Sequence, residues 1–203
     1  FIMGICVEAV TGAIAAGRKK MDFFGVMLIA SITALGGGTV RDVLFNTHPL
    51  TWVAHPQYLL YTSASALLTI FLAHSLVRVM KVFLILDALG LSAFVVIGTQ
   101  KLLNHGMPPS VAIFGGMITG ICGGMLRDIL CNDIPLVLRK ELYAVIALAG
   151  AILLITLGYC QVPKSISVIT TLLSIFITRL LAIFFHIEMP KFDYAHSLKK
   201  RRR

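Results

Sequence analysis

The sequence predicts an all-α integral membrane protein with seven transmembrane helices, arranged as two inverted three-helix repeats followed by a seventh helix. Three observations predict it: an apolar composition, seven apolar runs parted by charges and prolines, and an internal repeat. Of 203 residues, 58% are hydrophobic and only 13% charged, against roughly a quarter charged in a soluble domain. A spanning helix needs about 20 mostly apolar residues, so the length is used up by spans and short connections. No room is left for a soluble domain. The formal charge of +9 does not point to nucleic acid, because the basic residues lie between apolar runs or in the tail Lys199 to Arg203. Membrane lipid, through its anionic headgroups, is the expected partner of those charges.

The runs follow in order. The first, 2–17, is short and carries Glu8. The chain opens directly in it, without the basic segment of a signal peptide, which reads as a span retained in the mature protein. Arg18-Lys19-Lys20-Met21-Asp22 closes it, and a second run, 23–46, holds Gly36-Gly37-Gly38 and then Arg41-Asp42. After Thr47 to Pro56 comes the third run, 57–77, and after Arg78 to Lys81 the fourth, 82–102, which carries Asp87. Leu103 to Pro109 leads into the fifth, 110–132, with Gly115-Gly116, Gly120, Gly123-Gly124 and Arg127-Asp128. Asp133 to Glu141 precedes the sixth, 142–160, and Gln161 to Lys164 the seventh, 165–187. The whole reads as one transmembrane domain, 1–190, with repeat one at about 2–80, repeat two at about 82–162 and a basic cytoplasmic tail at 191–203.

Lys and Arg near span ends resist translocation. The first, third and fifth connections and the tail hold Arg18, Lys19, Lys20, Arg78, Lys81, Arg139, Lys140, Lys191 and the terminal cluster; the others hold little beyond Lys101 and Lys164. The expected orientation is therefore N-terminus outside and C-terminus cytoplasmic, which requires an odd number of spans.

The repeat is legible without gaps. Gly37 to Leu50 aligns on Gly123 to Leu136, with both glycines, the Arg-Asp pair, the Asn, the Pro and the final Leu identical. Upstream, Glu8-Ala9-Val10 corresponds to Asp87-Ala88-Leu89. Units of three spans enter the membrane in opposite senses, the arrangement that places a binding or conduction site at the repeat interface.

The glycines admit two readings. They permit a kink or unwound turn that exposes carbonyls to a cavity, or they allow close helix packing through small residues. The charges admit two as well: a structural buried network, or a water-filled, cation-attracting pathway. Adjacent residues on a helix point about 100° apart, so each arginine is expected to find its partner in Glu8, in Asp87 or in the Asp of the other repeat. Glu8, Asp42, Asp87 and Asp128 outnumber Arg41 and Arg127, which implies a negative surplus in the membrane.

Nothing in the chain implies an enzyme. Cys6, Cys122, Cys131 and Cys160 lack ligand spacing and read as small buried apolar residues. His48, His55, His74, His105, His186 and His196 fall near span ends or in loops, and no metal cluster or phosphate loop is present. Trp52, Tyr58 and Tyr61 fit an interfacial belt.

The doubled pattern, Gly36-Gly37-Gly38-Thr39-Val40-Arg41-Asp42 and Cys122-Gly123-Gly124-Met125-Leu126-Arg127-Asp128, resembles that of the prokaryotic branch of the TRIC family, the trimeric intracellular cation channels. The resemblance covers residues 2 to about 190 and departs from the family pattern at Cys122. It implies a homotrimer in the cell (inner) membrane, each subunit with its own pore for potassium and also sodium as permeant ions. It implies no cofactor. Gly36, Gly37, Gly38, Gly123 and Gly124 would form kinks in pore-lining helices two and five, with Thr39 beside them and Arg41, Asp42, Arg127 and Asp128 following in or beside the pore. A secondary transporter of a small solute such as an amino acid is the alternative, since inverted repeats with broken helices occur in both classes.

Overall fold

The computed structural model describes residues 1–73, 79–139, 142–185 and 187. Arg78, Lys140, His74, His186, His196 and the tail basic residues Lys191 and Lys199 to Arg203 lie outside the described residues.

Among the described residues every regular element is a helix. Seven long helices, α1 (Ile2–Arg18), α2 (Phe23–Leu44), α4 (Gln57–Ala73), α5 (Val79–Asn104), α6 (Pro109–Leu130), α8 (Tyr143–Tyr159) and α9 (Lys164–Phe184), are joined by loops and by two four-residue helices, α3 (Thr51–Ala54) and α7 (Leu136–Arg139). The long helices fall on the seven apolar runs. The two short ones lie in stretches read from sequence as plain connections. Phe23–Leu44, Met80–Asn104, Pro109–Leu130 and Lys164–Phe184 are long and apolar enough to cross a membrane, while Gln57–Leu72 and Tyr143–Tyr159 are apolar but shorter.

Local chemistry sets the helix ends. Asp22 accepts a hydrogen bond from the Gly25 amide at 2.7 Å and caps α2, satisfying one of the donors a helix start leaves open. Pro109 stands in the first turn of α6, where its missing N–H is no loss. The ends of α2 and α6 are built alike. Asn46 and Asn132 both adopt the left-handed conformation, with φ of 50° and 53°. The next residue in each case, Thr47 or Asp133, donates its amide back to the carbonyl of Asp42 or Asp128. Asparagine tolerates that backbone region better than most residues, so both repeats turn sharply just past their Arg-Asp pair.

In each half the three long helices pack together, and α2 and α6 cross at the centre of the molecule. Two ion pairs fix the directions. Lys19, just past α1, reaches Asp133, just past α6, at 2.8 Å. At the other end Lys101, late in α5, reaches Asp42, late in α2, also at 2.8 Å. The end of α6 therefore lies beside the start of α2, and the two helices run antiparallel. The buried apolar residues gather chiefly in one cluster on α1, α2 and α4, around Ile5, Ala9, Ala30 and Ala66, and in another on α5, α6, α8 and α9, around Leu91, Val95, Ala147 and Ile175.

Candidate functional site

The glycine-rich segments meet where α2 and α6 cross. A Cβ on Gly37 would collide with the Thr119 carbonyl oxygen and lie 3.2 Å from the Gly123 nitrogen; one on Gly123 would collide with the Thr33 carbonyl oxygen. Thr33 and Thr119, like Gly37 and Gly123, are equivalent positions in the two repeats. The crossing is thus pseudo-symmetric and made backbone to backbone. Thr33 and Thr119 turn their hydroxyls back onto the carbonyls four residues earlier, at 2.6 Å in each case, which hides those hydroxyls from the seam.

Of the two readings left open for the glycines, close packing describes this conformation. Both helices run unbroken through their glycines, so there is no unwound turn, and the small residues serve close approach. Gly36 faces the Leu126 side chain. Cys122, which stands where the first repeat has Gly36, is half-buried and packs into the second apolar cluster. Thr39 donates to the Leu35 carbonyl at 2.8 Å. With Gly36, Leu126, Trp52 and Leu59 it lines an apolar groove of about 370 Å³ between α2 and α4. Gly38 and Gly124 are different: a Cβ there would meet only an arginine Nη2, at 3.6 Å from Arg41 and 3.4 Å from Arg127, together with Asp87 and Tyr143 atoms at 3.7 Å in the second case.

Charged clusters lie beyond the crossing at both ends. At one end Asp42, fully buried, gathers six hydrogen bonds. Arg41 Nε and Nη2 donate to its Oδ1 at 2.9 and 2.7 Å, Thr47 Oγ1 at 2.9 Å and Lys101 Nζ at 2.8 Å. The Thr51 amide and hydroxyl donate to its Oδ2 at 2.9 and 2.7 Å. At the other end Arg127 donates through Nε to Asp128 at 2.9 Å and through Nη1 to Asp87 at 2.9 Å and Thr11 at 3.1 Å. Its guanidinium stacks 4.6 Å from the Phe83 ring centre. Thr11 in turn donates to Glu8 at 3.1 Å. Each Asp of the repeated motif also holds the first amide of a short helix, Thr51 of α3 or Leu136 of α7.

The neighbours in each Arg-Asp pair do pair with one another, against the expectation from helical geometry. The 100° separation describes where side chains leave the helix. Here both lie in the last turn of a helix, where an arginine is long enough to fold over the helix end onto the next residue. Asp87 proves to be a partner of Arg127, as its position allowed; Glu8 joins only through Thr11, and neither arginine reaches the Asp of the other repeat.

Two cations escaped the sequence reading. Lys101, counted with the fourth connection for its charge, points back into the Asp42 cluster. Arg179 of α9 is fully buried and stacks 4.5 Å from the centre of the Tyr143 ring. The four acids are then matched in number by Arg41, Arg127, Arg179 and Lys101, and the expected negative surplus disappears. The signal for Arg179 was present, a lone arginine inside an apolar run, where a charge at such depth marks function or pairing by default. The cysteines carry no disulfide among the described residues, but Cys160 is exposed on the isolated chain rather than buried.

Fold and site together define a helical membrane protein organised about an antiparallel glycine crossing with a charged cluster at each end. The family described as "Glycine transporter" matches residues 1–74 and 84–159. The UPF0126 inner membrane protein YadS of Escherichia coli K12 is 38% identical over 193 residues, 94% of this chain and 93% of its own. A UPF0126 membrane protein of Vibrio cholerae is 39% identical over 94% of this chain and 80% of its own. Among solved structures, the TRIC trimeric intracellular cation channel orthologue from Rhodobacter sphaeroides superposes with a TM-score of 0.88 at 36% identity, covering 92% of this chain and 96% of that one. The chain belongs to this family, in the prokaryotic branch of the TRIC proteins.

Proposed function

We propose that this protein is a monovalent cation channel, passing potassium and also sodium, with a pore in each subunit of a homotrimer. The observation that carries the reading is the antiparallel crossing of α2 and α6 between two charged clusters, in a fold shared with a cation channel. Seven spans, an outside N-terminus, a cytoplasmic C-terminus and an inner-membrane location complete it. The two matched stretches, 1–74 and 84–159, support treating each half as one repeat.

In the conformation described here the seam is closed, because Gly37 and Gly123 leave no room for an ion between the helices. Conduction requires α2 and α6 to part or bend there. A backbone contact between glycines can separate without repacking side chains, and glycine weakens a helix by about 1 kcal/mol relative to Ala, so this is where such a change costs least. Once parted, the seam exposes carbonyl dipoles between the two charged clusters, and such dipoles can replace a cation's hydration shell.

A second reading, a secondary transporter of a small amino acid, is favoured by the family description. It also draws on buried groups of opposite sign near Tyr143, Asp87 Oδ2 and Arg179, that lack hydrogen-bond partners. An amino acid's ammonium and carboxylate would suit such a pair. Potassium flux into proteoliposomes separates the two: a channel gives flux proportional to the potassium gradient and indifferent to glycine, whereas a carrier gives saturable glycine uptake.

A further inference from the structure

The two charged ends are not equally satisfied. Among the described residues, six buried side-chain atoms lack a hydrogen-bond partner: Asp87 Oδ2, Arg127 Nη2, Thr171 Oγ1 and all three nitrogens of Arg179. None belongs to the Asp42 cluster, whose carboxylate is saturated by six donors. Five of the six lie at the opposite end, about Tyr143. Arg179 stacks on that ring from α9. A Cβ on Gly124 would lie 3.7 Å from both the Tyr143 hydroxyl and Asp87 Oδ1, and 3.4 Å from Arg127 Nη2. The missing side chain at Gly124 therefore leaves space in which these polar groups converge.

A buried guanidinium held only by the face of a ring is an unstable arrangement in a dry interior. Buried polar groups are almost always hydrogen-bonded, to protein or to ordered water, and a buried charge without a partner costs far more than a neutral group. Tyr143 offers a π face to one side of Arg179, but leaves its N–H groups in need of acceptors. Several such groups gathered in one place are where ordered water is expected.

We propose that Asp87 Oδ2, Arg127 Nη2 and Arg179 line a hydrated chamber walled by α5, α6, α8 and α9, and that Arg179 sets how strongly this chamber favours cations. Counted formally among the buried, described side chains, the chamber end carries three carboxylates, Glu8, Asp87 and Asp128, against two guanidinium groups, Arg127 and Arg179. Arg127 is bound directly to two of those acids. Among the described residues no carboxylate lies within ion-pair distance of Arg179, so its charge acts on whatever enters the water. It is a brake on cation entry and a partial counterweight that keeps the site from trapping an ion. The hydration claim stands by itself; the selectivity claim rests on the channel reading.

The test uses the full-length protein in liposomes. In a background free of the native cysteines, Arg179→Cys is exposed to a small, charged, water-borne methanethiosulfonate reagent and compared with Ile175→Cys, one turn away on the same buried face and packed against Gly150. Reaction of Arg179→Cys at least tenfold faster than Ile175→Cys is expected; equal inertness overturns the chamber. Should Arg179→Cys fail to assemble, hydroxyl-radical footprinting of the unaltered protein replaces it. Oxidation of Tyr143 well above that of the equally buried Phe94, scaled for intrinsic reactivity, is then expected, and equal protection of the two overturns the chamber. For selectivity, Arg179→Gln should raise the potassium-to-chloride permeability ratio several-fold, and more so at low salt, while Arg179→Lys should keep the original ratio. An unchanged ratio in Arg179→Gln overturns the role of Arg179 in selectivity. If the unaltered protein gives no current, the channel reading fails and the selectivity claim with it, and the thiol result still decides the chamber.

Discussion

Gly37 and Gly123 meet backbone to backbone across the centre of the molecule, a Cβ on the first lying only 3.2 Å from the nitrogen of the second. Neither carbonyl facing these glycines can retreat without moving its helix. Gly37→Ala and Gly123→Ala should each destabilise the folded protein by about 1–3 kcal/mol, the range for overpacking a tight contact. Gly38→Ala, whose new methyl would lie at an ordinary contact distance of 3.6 Å from Arg41 Nη2, should be tolerated. Thermal unfolding in detergent, read alongside size-exclusion profiles, checks this. Equal stability of all three variants would show that the crossing is looser than described.

Asp42 is the hub of its cluster. Asp42→Asn leaves Arg41 and Lys101 without their carboxylate and should cost about 3–5 kcal/mol, the usual penalty for breaking a buried ion pair from one side. Adding Lys101→Met should recover part of that loss by removing one stranded charge. Asp128→Asn should cost less, because Arg127 retains Asp87. The same unfolding assay ranks the three, and an Asp42→Asn variant as stable as the parent would contradict the ranking.

Selectivity should divide along the same line. Asp87 presents an unpartnered Oδ2, whereas Asp42 is saturated. Asp87→Asn is expected to lower the potassium-to-chloride permeability ratio several-fold in assembled protein, while Asp42→Asn chiefly reduces the yield of assembled protein and leaves the ratio of the survivors near its original value. Reversal potentials in asymmetric potassium chloride distinguish them.

Orientation can be read by labelling. In a background without Cys6, Cys122, Cys131 and Cys160, cysteines placed at Lys19 and Lys140 should react with an impermeant reagent from the cytoplasm, and one at His55 from outside. Labelling of Lys19 and Lys140 from opposite sides would end the inverted-repeat reading, and would also contradict the contact of Lys19 with Asp133.

Most of the architecture was legible because it is written in one-dimensional signals. Apolar runs set the long helices, and the ungapped match of Gly37 to Leu50 with Gly123 to Leu136 exposed the repeat. The short helices α3 and α7 were not legible, since four residues have no periodicity; what holds them is the carboxylate of Asp42 or Asp128 on their first amide, a contact visible only in three dimensions. The pairing of Arg41 with Asp42 was missed because helical wheel geometry ignores the reach of a long side chain at a helix end. Lys101 sits at the end of the run 82–102, and nothing in one dimension shows that its tip turns inward to Asp42 rather than out to the interface. Arg179 was passed over because no second charge in its run drew attention to it.

The central claim, that the protein conducts cations, is tested most directly by recording single molecules in planar bilayers bathed in asymmetric potassium chloride. Unitary current steps that reverse near the potassium equilibrium potential and persist when sodium replaces potassium are expected. Glycine uptake that saturates, with no unitary openings at any voltage, would contradict it and establish the carrier reading in its place.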